Sequence, residues 1–250
     1  QCAHIDTYIT QGKDVIIVDP TDTLGVASCI NRAVEAGIPV VAIGTVPSDR
    51  ARILTTITPN PYENGFGAGE YIAANAGVEP IIAALIIGVV GNSTSESRLN
   101  GMVSGIVWQR VQELGLGMTR EEAMLRGYKL FQQAKQSGSF NDEELRFQVL
   151  TMAEGNWTEE GGLAAAEDIL TAHGKALTHI VADNDWMGIG SLRALRNSGI
   201  EGVKVATSAD GARLALEEIK KGNLLVTGTF SGEQMGVSTV AFLDQIFNKG

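Results

Sequence analysis

DVIIVDPTDTLGVASCINRAVEAGIPVVAI, residues 14–43, decides the fold. Val15-Ile16-Ile17-Val18 is an unbroken apolar run, too short for a helix, and it stops at the turn signal Asp19-Pro20-Thr21-Asp22. Leu24 to Ala36 then carries helical spacing and closes at Gly37, a residue that takes the left-handed conformation helix ends require. Pro39-Val40-Val41-Ala42-Ile43 is a second apolar run. Two continuously apolar strands joined through a helix predict parallel pairing in a sheet covered on both faces.

The same rhythm extends outward. A helix is expected over Ala3 to Gln11, a strand over Ile53 to Ile57, a helix over Asn64 to Ala76, a long buried strand over Ile81 to Val90, a loop over Gly91 to Ser97 and a helix from residue 98 to about 113. Strands are expected at Phe147–Met152, Thr178–Ala182, Val203–Thr207 and Leu224–Thr229, alternating with helices at Gly161–His173, Met187–Ser198, Gly211–Lys220 and Gln234–Phe247. So many units divide better between two sheets than they fit into one. Residues 114–146 break the rhythm. They are charged and helical, open on a capping-box signal from Thr119 to Glu122, and read as a solvated insertion on the second lobe.

Composition narrows the function. With 250 residues and 44% hydrophobic content the chain can bury a large core. Its formal charge of −10 argues against a nucleic-acid surface, which needs clustered Lys and Arg, so no nucleic-acid partner is expected. The two cysteines, Cys2 and Cys29, cannot build a Cys-rich metal site; they are either bridged between neighbouring helices in an oxidising compartment or two buried thiols. There is no apolar run of membrane-spanning length.

In open parallel sheets ligands bind beyond the carboxyl ends of the strands, where loops and helix starts converge. That rule selects Asp19, Asp22, Thr45, Asn60, Ser93 to Arg98, Trp157, Asp183 to Trp186, Asp210 and Phe230. Carboxylates accept from pairs of hydroxyls, a guanidinium donates in a rigid fork, and an indole offers a platform for C–H faces, which is the chemistry a sugar or polyol needs. Each residue also has a plainer role. Asp19 and Asp22 could form a turn and cap, Asp183 and Asp185 could cap helices, and Trp186 could pack beneath its helix. Arg98 stands near a helix start, where a cation is disfavoured, and needs another reason to be there. Enzyme signals are thin. GFGAGE (65–70) lacks the ending of a phosphate loop, Ser93 has no base, and the three histidines lack metal-binding spacing. No cofactor and no metal are expected.

With those residues in place, the chain resembles the type 1 periplasmic solute-binding proteins of sugar ABC transporters, in the ribose-binding branch. The resemblance is carried by QGKDVIIVDPTDTLGVASCINRAVEAGIPVVAI, GAGEYIA, GNSTSESRLNGM, DNDWMGIGSLRAL and ADGARLALEEIKKGNLLVTGTFSGEQMG, and it covers nearly all residues outside 114–146. It implies an α/β fold of two doubly wound parallel-sheet lobes joined by hinge strands, the first built from residues 1–59 plus 231–250 and the second from 60–230. It further implies ligand contacts from Arg98, Trp157, Asn184 and Asp210 in the second lobe and Asp19 in the first, with Asn60 and Phe230 at crossings between lobes. Gly44-Thr45 stands where many members carry an Asp-Arg pair, and Phe230 replaces a commonly polar residue; a pentose, deoxy sugar or polyol is therefore as well suited as glucose or ribose. The resemblance also implies a preceding strand, helix and strand and a returning last strand, so a chain truncated at its N-terminus is expected to show an apolar edge on its first lobe. The function implied is an extracytoplasmic, monomeric receptor that delivers a sugar or polyol to a membrane ABC permease, without catalysis. The alternative is the effector-binding core of a LacI-like regulator.

Overall fold

The computed structural model describes residues 1–248 as two compact units. The first comprises Gln1–Asn60, Gly91–Thr94 and the residues from Ser231 on; the second comprises Pro61–Val90 and Ser95–Phe230.

The first unit opens with α1 (Cys2–Thr10), β1 (Ile16–Val18), α2 (Ala27–Glu35), β2 (Val40–Ile43) and β3 (Thr55–Ile57). Its strands form a parallel sheet in the order β1-β2-β3. Ile16 and Val18 point into a core with Ile5, Val26, Ile30, Ala33 and Val40, whereas Ile17 between them is exposed. Period-2 alternation is thus visible even in this all-apolar strand. A disulfide joins Cys2 to Cys29 across a Cα separation of 5.4 Å, deciding between the two cysteine readings, and Arg32 pairs with Asp6 beside it at 2.8 Å.

The second unit contains α3 (Pro61–Ala76), β4 (Ile81–Ile87), α4 (Ser93–Glu113, entering from the first unit), α5 (Arg120–Ser137), β5 (Phe140–Asp142), β6 (Phe147–Glu154), α6 (Glu159–His173), β7 (His179–Ala182), α7 (Asp185–Ser198), β8 (Lys204–Thr207) and α8 (Arg213–Lys220). The sheet order is β5-β6-β4-β7-β8, parallel except for the β5 edge. The central strand explains why its sequence is apolar throughout. Ile81, Ala83, Leu85 and Ile87 face a core shared with α3, α4 and α5, while Ala84 and Ile86 face the core under α6 and α7. Burying each large side chain contributes roughly 1.5–3 kcal/mol, and none of these positions is exposed. The chain ends its described part in α9 (Gly232–Asn248), which returns to the first unit.

Two expectations need correction. Residues 114–146 are not a solvated decoration. Thr119 and Glu122 do form the capping box, but α5 then buries Ala123, Gly127, Leu130, Phe131 and Ala134 against the sheet, and β5 extends that sheet. Small residues carry much of this buried face, which kept the segment polar on average. Arg126 ties α5 to the edge strand through Asp142 (2.7 Å) and Glu144 (2.6 Å). Second, Leu224–Thr229 runs beside β8 without becoming a regular strand. Leu225 N donates to Val205 O (2.8 Å) and Thr207 N to Val226 O (2.9 Å), but the only ladder pairing there is Val205 with Leu224.

GFGAGE lies inside α3 and serves helix packing. A Cβ on Gly65 or Gly69 would enter the α4 backbone at Arg98 and Met102, and a Cβ on Gly101 or Gly105 would enter α3 at Tyr62 and Phe66. The two helices therefore meet backbone to backbone, which fixes α4 and the arginine on its second turn.

Candidate functional site

At the carboxyl end of the second sheet the ladders run on into the loops. Gly155 N donates to Ile87 O (2.8 Å), Asn156 N to Gly88 O (2.9 Å) and Asp183 N to Ile86 O (3.0 Å). These bonds place Trp157 after β6 and Asn184 after β7, and Asp210 after β8 and Arg98 on α4 lie beside them.

Arg98 is the centre of this group and is only 3% exposed. Its guanidinium carbon lies 4.5 Å from the centroid of Phe230 and 5.5 Å from that of Trp157, within cation–π range of both. Nη2 reaches Asp210 Oδ1 at 3.4 Å, a long contact that leaves the pair loosely engaged, and Nε has no hydrogen-bond partner. Burial raises the Asp210 pKa, with Arg98 pulling it down and Asp185 pushing it up. Arg98 is thus a buried guanidinium held by two rings and Asp210, with its Nε donor unspent. This accounts for a cation that the helix dipole does not favour.

Trp157 is held in an uncommon backbone conformation. Asn156 and Trp157 have φ of 50° and 64°, the left-handed region that non-glycine residues rarely occupy and that clusters at functional sites. Asn184 secures it, donating from Nδ2 to Trp157 O (3.1 Å) while its Oδ1 accepts from Met187 N (3.1 Å) and caps α7. One proton and one lone pair of that amide remain for a ligand. Trp186 stands apart, 40% exposed on the first turn of α7.

Beneath the group lie two buried carboxylates, Asp183 and Asp185, which the strand-end rule selects and whose plainer reading is as helix caps. Asp183 Oδ2 accepts from Gly88 N at 2.7 Å, and Ser208 Oγ donates to the Asp183 carbonyl at 2.6 Å. Complete burial pushes the Asp183 pKa up to about 7, against the pull of the Gly88 amide and the Arg98 charge. Asp185 accepts from Thr207 Oγ1 (2.7 Å), Thr227 Oγ1 (2.6 Å) and Ala212 N (2.7 Å), and so anchors the segments leading to Asp210 and Phe230. Their position at strand ends was readable from the sequence; their burial was not.

In the first unit, Asp19, Thr45 and Asn60 follow β1, β2 and β3. Gly44 has φ of 67°, and its carbonyl accepts from Thr58 Oγ1 (2.7 Å) and Thr94 Oγ1 (3.1 Å). The Asp19 carboxylate lies against it; a Cβ on Gly44 would come within 2.8 Å of Oδ2. Thr45 is buried, 3.5 Å from the Thr94 hydroxyl, and Asp19 and Asn60 are exposed. Asp22 takes the plainer role, accepting from Leu24 N and Gly25 N at 3.0 and 2.9 Å. Ser93, considered as a nucleophile, donates to Val46 O at 2.9 Å.

The periplasmic binding protein domain family matches residues 1–250. The chain belongs to that family. Among curated relatives, the ribose import binding protein RbsB of Escherichia coli (strain K12) is 25% identical over 246 residues, 98% of this chain and 70% of that protein. The xylitol-binding protein of Mycolicibacterium smegmatis is 22% identical over 232 residues, 93% of this chain and 56% of that protein. Among solved structures, a galactofuranose binding protein superposes with a TM-score of 0.79 at 17% identity, covering 100% of this chain and 74% of the other. The Caulobacter myo-inositol binding protein gives 0.77 at 20% identity, with 100% and 73% covered. These structures share the fold, a periplasmic binding protein of type 1. As a member of this family the chain is a solute-binding receptor, not an enzyme, and the regulator-core alternative is not supported.

Proposed function

We propose that this binding protein captures a sugar or polyol outside the cytoplasmic membrane and delivers it to a membrane ABC permease. The observation that carries this reading is Arg98, buried against Trp157 and Phe230 with Asp210 at its tip and its Nε unspent. A guanidinium and a carboxylate address adjacent hydroxyls, and the rings address C–H faces. The ligands for which the relatives are named, among them ribose, xylitol, galactofuranose and myo-inositol, are all of this polyhydroxylated class. Phe230 and the Gly44-Thr45 pair favour a pentose, furanose, deoxy sugar or polyol.

We assign Arg98, Trp157, Asp210, Phe230 and the spare capacity of Asn184 to the solute, with Trp186 at the margin, and Asp19, Thr45 and Asn60 as contacts from the first unit. Binding that draws on residues of both units stabilises the conformation in which both engage, a ligand-driven hinge closure. The Cys2–Cys29 bond supports an oxidising, extracytoplasmic compartment. The receptor acts as a monomer.

A thermal-shift and calorimetric screen of D-ribose, L-arabinose, D-allose, xylitol and myo-inositol tests the reading. At least one is expected to raise Tm, with Arg98→Ala and Trp157→Ala each weakening it by about 1.5–3 kcal/mol. Unchanged affinity in both variants would remove the site.

A further inference from the structure

Gly88, the first residue beyond β4, carries no signal in the sequence. Its φ lies outside the left-handed region, so its backbone would accept alanine. What excludes a side chain is the indole of Trp157. A Cβ built on Gly88 would lie 2.5 Å from Cδ2 and 2.6 Å from Cζ2, and closer still to Cε2. Gly88 cannot retreat from that clash, because both of its backbone groups are engaged. Its N–H donates to the buried Asp183 carboxylate at 2.7 Å, and its carbonyl accepts from Asn156 N at 2.9 Å. The partner of that second bond is the residue before Trp157, so the platform under the ring and the backbone that carries the ring are one bonded unit. On the other side, Asn184 Nδ2 holds the Trp157 carbonyl at 3.1 Å.

We propose that Gly88 is a positioning residue for solute recognition: its bare Cα is the seat on which the Trp157 indole rests, and with Asn184 it fixes the height and tilt of that ring beside Arg98. This rests on the reading of the Arg98 group as the solute site. Gly88 touches no ligand itself. It sets which ring thickness and which pattern of C–H faces fit against the indole, so changing it alters selectivity as well as affinity.

The test has an arm that needs no ligand. In a Trp108→Phe/Trp186→Phe background Trp157 is the sole indole of the three in the chain. There, Gly88→Ala is expected to increase acrylamide quenching and shift the emission of Trp157; an unaltered indole signal in the folded variant overturns the proposal. Asn184→Asp keeps the helix-capping oxygen but replaces the amide that donates to the Trp157 carbonyl with a carboxylate oxygen that repels it, and is expected to change the same signal in case Gly88→Ala does not fold; an unaltered signal there overturns the proposal equally. Binding of D-ribose, xylitol and myo-inositol forms the second arm. Gly88→Ala is expected to lose about tenfold in affinity and to reorder the three compounds, and to have no further effect in a Trp157→Ala background, the coupling that residues acting through one another show. If Arg98→Ala and Trp157→Ala both leave binding intact, the site reading fails; if Trp157→Ala alone does so, or if Trp157→Ala weakens binding and Gly88→Ala does not, the positioning role fails.

Discussion

At the scale of single residues, two buried titratable groups pull stability in opposite directions over the same pH range. Burial raises the Asp183 pKa to about 7, so its contribution to stability is fully present below the ordinary aspartate value and is lost as pH rises towards 7. Burial lowers the His179 pKa to about 4, with Lys204 and Arg110 adding to the effect, so its contribution is present above the ordinary histidine value and is lost as pH falls towards 4. Each titration contributes a slope of at most about 1.4 kcal/mol per pH unit, and the two oppose each other between them. Urea unfolding of Asp183→Asn is therefore expected to show stability falling more steeply on acidification than in the parent, and His179→Asn to show it falling less steeply; parallel profiles for all three proteins would contradict these assignments. That Arg98, Trp157 and Asp210 come together was legible because the strand-end rule depends only on periodicity and residue type. The contact of Gly88 with the Trp157 indole and the burial of Asp183 were not, because burial and a missing Cβ acquire meaning only once the neighbouring loop is placed.

At the scale of elements, the alternating glycines of GFGAGE offer a sharper comparison. Gly65 and Gly69 abut the α4 backbone, whereas Gly67 between them is exposed, and a Cβ there would meet no atom within 4 Å. Gly67→Ala is expected to stabilise the protein by about 0.5–1 kcal/mol through helix propensity. Gly69→Ala is expected to destabilise it by about 1–3 kcal/mol by forcing α3 from α4. Chemical denaturation separates the two signs. On the central strand, Leu85→Ala is expected to cost about 2–5 kcal/mol, since Leu85 is fully buried and its neighbours cannot collapse around the gap. Outside α5–β5 and residues 224–229 the strand and helix alternation was readable, most plainly at β4, which is buried on both faces and apolar from end to end. The α5–β5 segment was misread because Ala123, Gly127 and Ala134 bury backbone-close surface while contributing little hydrophobicity to the pattern.

At the scale of the whole molecule, the Cys2–Cys29 bond closes a loop of sequence separation 27 within the first unit. Chain-entropy arguments assign such a closure about 3–4 kcal/mol, so reductant or the Cys2→Ser/Cys29→Ser pair is expected to lower Tm; a scan indifferent to reductant would show the bond to be dispensable. If solute engages residues of both units as proposed, small-angle scattering should report a smaller radius of gyration on saturation with the ligand found by the screen, and an unchanged value would count against closure.

The first unit is assembled from residues far apart along the chain, 1–60 and those from 231 on, with nearly the whole second unit synthesised in between. Vectorial synthesis therefore delivers β1, β2 and β3 long before the helix that belongs with them. The second unit fills residues 61–230 but for the short passage 91–94 and can collapse while its companion waits. A pulse of hydrogen–deuterium labelling during refolding should find protection in β4, β6 and β7 ahead of β2, reversing the order in which the ribosome made them.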